Sequence, residues 1–548
     1  MRTAWESIVA PTGLARRYRE QGWWRDATFS EDLRESAAEA PDETAFLTWR
    51  QREKRLIALS FREFDVRADA VAGALQRLGV GRGDVVAYQL PAWWETAVLM
   101  IACQRVGAIV APLHTLSGSF ETERVLAATG AVACVVADEY DGVGQARQLL
   151  EQAPRLPSLR HRIVIGDAAA TNAVSLDDVF YGRHSTVERP SDLVPFGSDE
   201  VCALLMTSGT TGESQLVAHS LNTLYAVPRQ APAPGQLRAL TSGMSFVSAF
   251  RMTLHATWRG VPTLFSDSRS PETWLDLIEE AKVTELRTSP RMLRTLVEEQ
   301  RRRARDVSSL ESVCSFGGVI PPVTLSDVRE RLCPVVRNVW GMTECGNVLT
   351  TAAEDPPEQA SRSLGRMGQD GGEVRLEPAG RAHHRGDVFR LHVRGPAVCL
   401  ATVGRDSGQV RWSPDTDDGW LDTGDLVTPD GTGGLRFVGR VAERIGDAWQ
   451  VPVTDVENAL LTHSGVEDAV LLPWPHTDGR ETPCAAVISA TPLELRDLRD
   501  HLDRLGFREL CLPTRIEHVT EFPRTELGKV RRKILLDRLR ERAAVTAG

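Results

Sequence analysis

Helical and strand patterns alternate along the first two-thirds of the chain. Apolar residues recur at helical spacing over residues 61–78, and the following Gly79 is a typical helix stop. The apolar run 85–90 predicts a buried strand, and residues 94–106 predict a helix that ends at Gly107. Further strands are predicted at 108–113, 131–137 and 162–165. Helices between short Val- and Ile-rich strands are typical of an α/β fold with largely parallel sheets.

The pattern changes after about Gly365. Short strands separated by Gly, Pro and Asp turns predict a small β-rich subdomain, with strands at 388–393, 410–412 and 435–438. After Gly439 and Arg440 the chain returns to an α+β pattern, with helices at 456–461 and 494–505 and strands at 469–472 and 485–489. We therefore predict two domains, residues 1–438 and 439–548.

Composition indicates a globular protein of several domains. The chain has 548 residues, of which 42% are hydrophobic and 25% are charged. A net charge of −10 argues against a nucleic-acid binder that works by bulk electrostatics. Lysine is scarce, since only four of the 64 Lys and Arg residues are lysines, namely Lys54, Lys282, Lys529 and Lys533. A lysine inside a motif therefore carries more weight than usual.

Cysteine usage and the chain start predict a cytoplasmic location. The nine cysteines are scattered without a C-x-x-C pair, so neither a zinc site nor a redox dithiol is indicated. An odd number of thiols in apolar runs fits a reducing compartment. The first residues show no secretory signal, and the most apolar stretch, 97–113, is interrupted by Gln104 and Arg105. We expect no membrane segment.

A loop rich in hydroxyl groups and glycine follows a predicted strand at 203–206. Such a loop offers backbone N–H and side-chain O–H donors that wrap phosphate oxygens without adding charge. The alternative, a polar surface turn, is less favoured because the six residues follow the strand directly. The predicted phosphate loop consists of Thr207, Ser208, Gly209, Thr210, Thr211 and Gly212.

A second candidate binding segment, for Mg²⁺ and a phosphate, follows another apolar strand. Glu344 is suited to holding Mg²⁺, with the Thr343 hydroxyl near a phosphate. The aromatic Trp340 can form one wall of a pocket for a planar ligand. The alternative is a strand end followed by a helix cap.

Three charged residues complete the candidate site. Asp425, after a Thr-Gly turn, can accept hydrogen bonds from ribose hydroxyls, and Arg440 can reach the same ribose or a phosphate. Lys529 follows a loop framed by Pro and Gly, which can deliver a mobile cation to charge that develops in a transition state. The alternatives are an Asp in a hairpin turn and an exposed lysine beside a basic helix.

Four segments carry these candidates: the loop at 207–212, the segment with Thr343 and Glu344, the segment with Asp425 and the following Arg440, and the loop before Lys529. In this order they resemble the motifs of the adenylate-forming superfamily, which includes acyl-CoA synthetases, aryl-acid adenylating enzymes, peptide-synthetase adenylation domains and luciferases. The similarity covers nearly the whole chain, and the strings RYREQGWW and QLPAWWE at 89–95 resemble the aryl- and cyclic-acid ligase branch. The resemblance implies a large N-terminal domain of two αβ-layered subdomains with a small β-barrel. A mobile α+β C-terminal domain, acting as a lid, would follow.

The resemblance also implies a reaction and a set of site residues. ATP and a small carboxylic acid, with an aromatic one favoured, would form an acyl-AMP and pyrophosphate with Mg²⁺, and in some members CoA then displaces AMP. Lys529 would bridge the α-phosphate of ATP and the carboxylate of the acid. Thr343 and Glu344 would bind the α-phosphate and Mg²⁺. Asp425 and Arg440 would hold the ribose. The adenine and the substrate pocket would be framed by Gly317, Gly318, Val319, Asn338, Val339 and Trp340, with Phe246, Ala249, Phe250 and Gly341 lining the substrate pocket.

The sequence departs from the family pattern in three places. The phosphate loop continues Ser214-Gln215-Leu216 where the family has Pro-Lys-Gly, so a neutral amide replaces a cation. Phe246 and Ala249 stand where the family often has His and Gly, which indicates either repacking or a more aromatic pocket. The loop at 441–449 has one glycine and is shorter than the family loop, with Glu443 as the candidate hinge.

These departures keep other functions open. A diazotase of the same superfamily would activate nitrite with ATP and form a diazo group on an aryl amine, for which no CoA tunnel is needed. A catalytically inactive, ligand-binding relative is the third hypothesis, and Gln215 is its only support. Retention of Glu344, Asp425 and Lys529 argues against the inactive relative.

Overall fold

The protein is described from a computed structural model. The described residues are 4–177, 180, 195–207, 214–226, 236–241, 243–258, 260, 262–368, 371–382, 386–441, 445, 451, 453–475, 481–507, 509–524 and 529–547. In this part of the chain, no helix is both long and apolar enough to cross a membrane.

Helices flank the sheets throughout the described chain. The α-helices are α1 Thr12–Glu20, α2 Phe29–Glu39, α3 Phe61–Arg77, α4 Trp94–Val106, α5 Ser119–Thr129, α6 Gln145–Gln152, α7 Leu221–Tyr225, α8 Val247–His255, α9 Pro271–Ala281, α10 Pro290–Arg302, α11 Pro322–Arg331, α12 Pro357–Ala360, α13 Val453–Leu460, α14 Leu495–Arg504 and α15 Arg532–Ala547. Short 3₁₀ helices cover Ala4–Ser7, Ala153–Arg155, Ala169–Thr171, Thr416–Gly419 and Glu509–Cys511.

The strands run along the whole chain. They are β1 Thr44–Arg50, β2 Arg55–Ser60, β3 Val85–Gln89, β4 Ile109–Pro112, β5 Ala133–Ala137, β6 His161–Ile165, β7 Val174–Ser175, β8 Val201–Met206, β9 Gln215–Ser220, β10 Arg238–Leu240, β11 Thr263–Ser266, β12 Glu285–Thr288, β13 Ser312–Phe316, β14 Val336–Met342, β15 Gly346–Thr350, β16 Ser363–Met367, β17 Glu373–Ala382, β18 Gly386–Arg394, β19 Ala401–Gly404, β20 Val410–Trp412, β21 Leu421–Pro429, β22 Leu435–Arg440, β23 Asp468–Pro475, β24 Glu481–Ile488 and β25 Arg515–His518.

Three sheets organise these strands. A 13-stranded sheet has the order β17-β18-β21-β22-β16-β15-β14-β13-β12-β10-β11-β1-β2, and a nine-stranded sheet has the order β20-β19-β9-β8-β4-β3-β5-β6-β7. The central strands β10, β12, β13 and β14 pair in parallel, as do β3, β4, β5 and β6. The carboxyl ends of each set therefore meet at one edge of a sheet, where ligands commonly bind.

The predicted mixed α/β fold is confirmed, with a large N-terminal part and a smaller C-terminal part. The β-rich segment joins both large sheets, because β17, β18, β21 and β22 extend one and β19 and β20 extend the other. The C-terminal part has its own three-stranded sheet, β23-β24-β25. The boundary at residue 438 stays a prediction.

Local signals explain where the elements begin and end. Ser60 caps α3 in a reciprocal pair with Glu63, and α4 ends at Gly107, whose φ of 73° favours glycine. All thirteen residues of α4 are buried because this helix lies in the main core with the nine-stranded sheet. A second core packs α9, α10 and α11 against one face of the 13-stranded sheet. That leaves the opposite face of its central strands for other partners.

Candidate active site

The two strands on either side of the predicted phosphate loop in the chain, β8 and β9, pair antiparallel. The Thr207 amide donates to the Gln215 carbonyl at 3.0 Å, and the Gln215 amide donates to the Thr207 hydroxyl at 3.1 Å. These two bonds hold the two ends of the loop together. Ser208, Gly209, Thr210, Thr211 and Gly212 lie outside the described residues.

The turn that carries Thr343 and Glu344 connects β14 to β15 and is held through its backbone. The Thr343 carbonyl lies 2.8 Å from Nε2 of His219, and the Glu344 carbonyl accepts from the Cys399 amide at 2.8 Å. A side chain at Gly341 would be impossible without movement, because its Cβ would lie 2.1 Å from the Gly346 carbonyl oxygen. Gly341 thus lets the two strands approach closely beside Glu344.

Charged groups from distant parts of the chain surround Glu344. Burial raises the pKa of the Glu344 carboxyl group above its ordinary value, and the charges of Arg440 and Lys529 oppose that shift. The negative charge of Asp425, like burial, raises the pKa of Glu344. The structure therefore brings Glu344, Asp425, Arg440 and Lys529 within electrostatic range of one another, although nearly 200 residues separate the first and the last.

Asp425 lies inside β21 and not in a turn. Buried residues alternate with more exposed ones over residues 421–425 of this strand, and Asp425 is only 1% exposed. Trp340 donates its indole N–H to Oδ2 of Asp425 at 2.9 Å, and Nε of Arg440 lies 3.0 Å from Oδ1. Arg440 is the direct cross-strand partner of Asp425 on β22. The carboxylate is thus oriented by one hydrogen bond, from Trp340, and by an ion pair with Arg440.

The predicted adenine-framing residues follow two neighbouring parallel strands. Gly317, Gly318 and Val319 come directly after β13, and Gly317 has a φ of 87° that favours glycine. On β14, Asn338 and Trp340 share the buried face, whereas Val339 is half-buried on the other face and Gly341 is exposed. These residues lie together at the carboxyl edge of the sheet, on both of its faces.

Two polar residues that the sequence did not single out, His114 and Ser245, lie beside Phe246. The rings of His114 and Phe246 lie 4.6 Å apart between centroids, and Nδ1 of His114 lies 2.9 Å from the Ser245 hydroxyl. Phe246 is half-buried, whereas Ala249 and Phe250 are buried in the core. The signal for His114 was its position just after β4, at the carboxyl end of a parallel strand.

His219 was also missed, and it holds the Glu344 turn. Burial lowers the pKa of His219 to about 4, the Thr343 carbonyl raises it, and the charge of Arg251 lowers it further. The Thr223 hydroxyl lies 2.9 Å from Nδ1. A neutral imidazole with Nε2–H donating to Thr343 fits these contacts. Its only sequence signal was a histidine in a buried strand beside the phosphate loop.

The C-terminal part reaches the site through Lys529 and also contacts α5. Nη2 of Arg531 lies 3.8 Å from Oε1 of Glu121, next to the segment that carries Lys529. The candidate hinge Glu443 lies outside the described residues. No group of three or more His, Cys, Asp or Glu side chains suited to a metal occurs among the described residues. Glu344 alone suits Mg²⁺ that is held mainly by phosphate oxygens.

Comparisons with known proteins cover both parts of the chain. The AMP-binding enzyme family matches residues 33–401, and the AMP-binding enzyme C-terminal domain matches residues 455–529. A salicyl-AMP ligase / salicyl-S-ArCP synthetase of Mycobacterium tuberculosis is 30% identical over 548 residues, covering 97% of this chain and 94% of the relative. A 2-hydroxy-7-methoxy-5-methyl-1-naphthoate–CoA ligase of Streptomyces carzinostaticus is 29% identical, covering 96% and 95%.

A solved structure shows the same fold. The anthranilate CoA ligase AuaEII, in complex with anthranoyl-AMP, matches with a TM-score of 0.80 and 21% identity, covering 95% of this chain and 98% of that structure. Because the family match spans well over half of the chain and the motifs occur in the expected order, the protein belongs to the AMP-binding enzymes, the adenylate-forming ligase family.

Proposed function

We propose that the protein activates a small aromatic carboxylic acid as its acyl-AMP, with release of pyrophosphate, and then transfers the acyl group to a thiol such as CoA. The observation that carries this proposal is the convergence of Lys529, Glu344, Asp425 and Arg440 on one site. These groups can bind a magnesium nucleotide and a second anion together. A protein that only bound a ligand would not need this set of charges.

The first step makes one bond and breaks one. A carboxylate oxygen of the acid attacks the α-phosphorus of ATP, and the bond from that phosphorus to the pyrophosphate oxygen breaks. Two anions must approach in line, so a cation between them lowers the barrier. Lys529 is the candidate, because its charge already acts at Glu344. Glu344, with phosphate oxygens, would hold the Mg²⁺ that neutralises the leaving pyrophosphate.

Nucleotide binding would depend on the pair Asp425 and Arg440. The Asp425 carboxylate is buried and held by Trp340 and Arg440, so little reorganisation is needed when ribose hydroxyls donate to it. Thr343 follows the same strand as Trp340 and would contact the α-phosphate. The loop from Thr207 to Gly212 would contact the other phosphates.

An aromatic acid fits the pocket side of the site. The half-buried Phe246 ring and the His114 ring offer stacking surfaces, and the Ser245 hydroxyl offers a hydrogen bond to a ring substituent. The two relatives named above carry salicylate and hydroxynaphthoate in their names, which supports a substituted aromatic acid. We also propose a cytoplasmic location, where nine free thiols and an ATP supply are both expected.

The test is pyrophosphate release over a panel of aromatic and aliphatic acids. We expect release with aromatic acids, formation of the acyl-AMP by mass spectrometry, and conversion to the thioester when CoA is added. A parallel reaction with nitrite and an aryl amine distinguishes the diazotase from the carboxylate-activating ligase. A coloured diazo product together with AMP would overturn the carboxylate proposal. No turnover with any acid or with nitrite would support the inactive relative.

A further inference from the structure

One face of the central parallel strands is half-exposed although it lies in the middle of a 13-stranded sheet. Along β12, β13 and β14, buried and half-buried residues alternate with period two. Of the buried set, Leu286, Val313 and Val336 pack in the core with α9, α10 and α11. The half-buried set includes Phe316 and Val339, which are paired in register beside the candidate active site. The more exposed face of these central strands therefore adjoins that site.

The same face carries an unusual row of residues that includes two arginines. The row lies two residues before Phe316 and Val339 on their strands. Arg287, Cys314 and Arg337 are direct neighbours in register on β12, β13 and β14. Adjacent strands lie ~4.8 Å apart and residues two apart on a strand are separated by ~6.6 Å, so this row lies one step farther from the carboxyl ends of the strands. Arg238 and Glu285, paired on β10 and β12, belong to the same face.

Positive charge exceeds negative charge in this row. Burial raises the pKa of Glu285, but the charges of Arg287, Arg238 and Arg337 outweigh burial, so its pKa lies below the ordinary value. Burial and the neighbouring Arg287 lower the pKa of Arg238. Among the described residues, Glu285 is the only carboxylate that acts on Arg238 or on Arg287. The row therefore has an excess of positive charge in a confined space.

The positive region extends toward the reacting groups. His255 is 6% exposed, and its Nε2 atom has no hydrogen-bond partner among the described residues. Burial and the charges of Arg251, Arg238 and Arg287 lower its pKa well below the usual range. Arg251 also acts on His219, which contacts Thr343, and on Cys345 next to Glu344. Arg251 and His255 thus link the arginine row to the Glu344 turn.

A purely structural role explains the row poorly. Arg305, which is 1% exposed, shows how this protein balances a buried arginine, because Asp276 and Glu299 each lie 2.9 Å from its guanidinium group. Confining several guanidinium groups around a single carboxylate is costly. The side chain of Arg287 remains 30% exposed, so it is accessible to a ligand.

We propose that Arg287 and Arg337, with Arg238, form a subsite for a second, non-reacting carboxylate on the acid substrate. The substrate class is then an aromatic dicarboxylic acid, or an aromatic acid with a carboxylate-bearing side chain. A planar guanidinium group pairs with a carboxylate through two parallel hydrogen bonds, which gives orientation as well as affinity. The bound end of the substrate aims its other carboxylate toward Lys529 and Glu344. This inference rests on the proposed adenylating function.

The test compares matched acids that differ in one charge. Isophthalate and terephthalate are each assayed for pyrophosphate release against their monoamides, which keep the shape and remove the second charge. We expect the diacids to have kcat/KM higher than the monoamides by roughly tenfold or more. In Arg287→Gln and Arg337→Gln the ratio of kcat/KM for diacid to kcat/KM for monoamide should fall towards one. The exposed Arg302→Gln control should keep the ratio of the unmodified protein.

A second measurement does not depend on turnover. Cys314 lies between Arg287 and Arg337 in register and is the one half-buried cysteine, the other eight being buried. Its modification by the small neutral reagent methyl methanethiosulfonate, read by mass spectrometry with Cys314→Ser as control, should be slowed by the diacids and not by the monoamides.

The two proposals fail in different ways. Equal use of diacids and monoamides, with no protection of Cys314, would overturn the subsite and leave adenylation intact. No pyrophosphate release with any acid, together with selective protection of Cys314 by the diacids, would overturn adenylation and leave the carboxylate subsite standing.

Discussion

The indole N–H of Trp340 donates to Oδ2 of Asp425 at 2.9 Å, across two strands that are 85 residues apart in the chain. Because Arg440 engages the other oxygen, the buried carboxylate is fixed before any nucleotide arrives. A fixed acceptor binds ribose hydroxyls with less loss of conformational entropy than a free side chain. We therefore expect nucleotide binding to be sensitive to substitution of either Trp340 or Asp425.

Asp425→Ala should weaken ATP binding by roughly tenfold or more, because hydrogen bonds to a charged acceptor are lost. Trp340→Phe keeps an aromatic ring and removes one donor, so its effect should be smaller. Isothermal titration with ATP measures both, with the thermal unfolding of each variant as a check on folding. Equal affinity in Asp425→Ala and the unmodified protein would show that Asp425 does not hold the ribose.

Lys529→Ala should slow acyl-AMP formation by roughly 100-fold or more and leave ATP affinity nearly unchanged, because its contact matters most in the transition state. Single-turnover pyrophosphate release gives the rate. Lys533→Ala is the matched control, since Lys533 is exposed on α15 four residues away. If both variants kept the normal rate, the assignment of Lys529 would be wrong.

Gly341→Ala should destabilise the protein by about 1–3 kcal/mol and reduce adenylation. The added Cβ would lie 2.1 Å from the Gly346 carbonyl oxygen, so the strand pair that carries Glu344 must separate. Gly144→Ala, outside the candidate site, is the control, because its Cβ would meet the Arg147 Cβ only at 3.9 Å, an ordinary contact. Chemical denaturation and pyrophosphate release should distinguish the two glycines, and a stable, active Gly341→Ala would contradict the close approach.

His219 should make the free energy of unfolding depend on pH. Burial lowers its pKa to about 4 in the folded protein, against an ordinary value of 6.5, so the unfolded chain binds more protons between these values. Stability from this group is therefore complete above pH 6.5 and declines as the pH falls toward 4. His219→Gln, which keeps a donor for Thr343, should show a shallower decline in urea titrations. An unchanged slope would indicate that His219 is protonated in the folded state.

Gln215→Lys should raise ATP affinity by roughly 2- to 5-fold at low salt, with the gain shrinking as salt increases. Gln215 begins β9 at the base of the phosphate loop, where an added cation lies near the triphosphate. Gln409→Lys on the nearby exposed turn between β19 and β20 controls for net charge. An affinity gain of the same size in both variants would show that position 215 has no special role.

Periodicity and end signals predicted most local elements. The helix at 94–106 and the strand at 410–412 have the predicted bounds, and others differ by a few residues at their ends. Asp425 was expected after a turn, whereas it lies within β21. The Thr-Gly pair favours a turn locally, but pairing with β18 and β22 provides more hydrogen bonds than a turn can.

The order of motifs determined the family and named Glu344, Asp425 and Lys529, because motif chemistry is local and readable from residue types. Only the tertiary structure decided which further side chains join them. His219, His114 and the arginines of the central strands come from segments whose local patterns look like ordinary core. Strand register and sheet order align these residues, since neighbours in a parallel sheet are set by long crossover connections. No local pattern encodes that alignment.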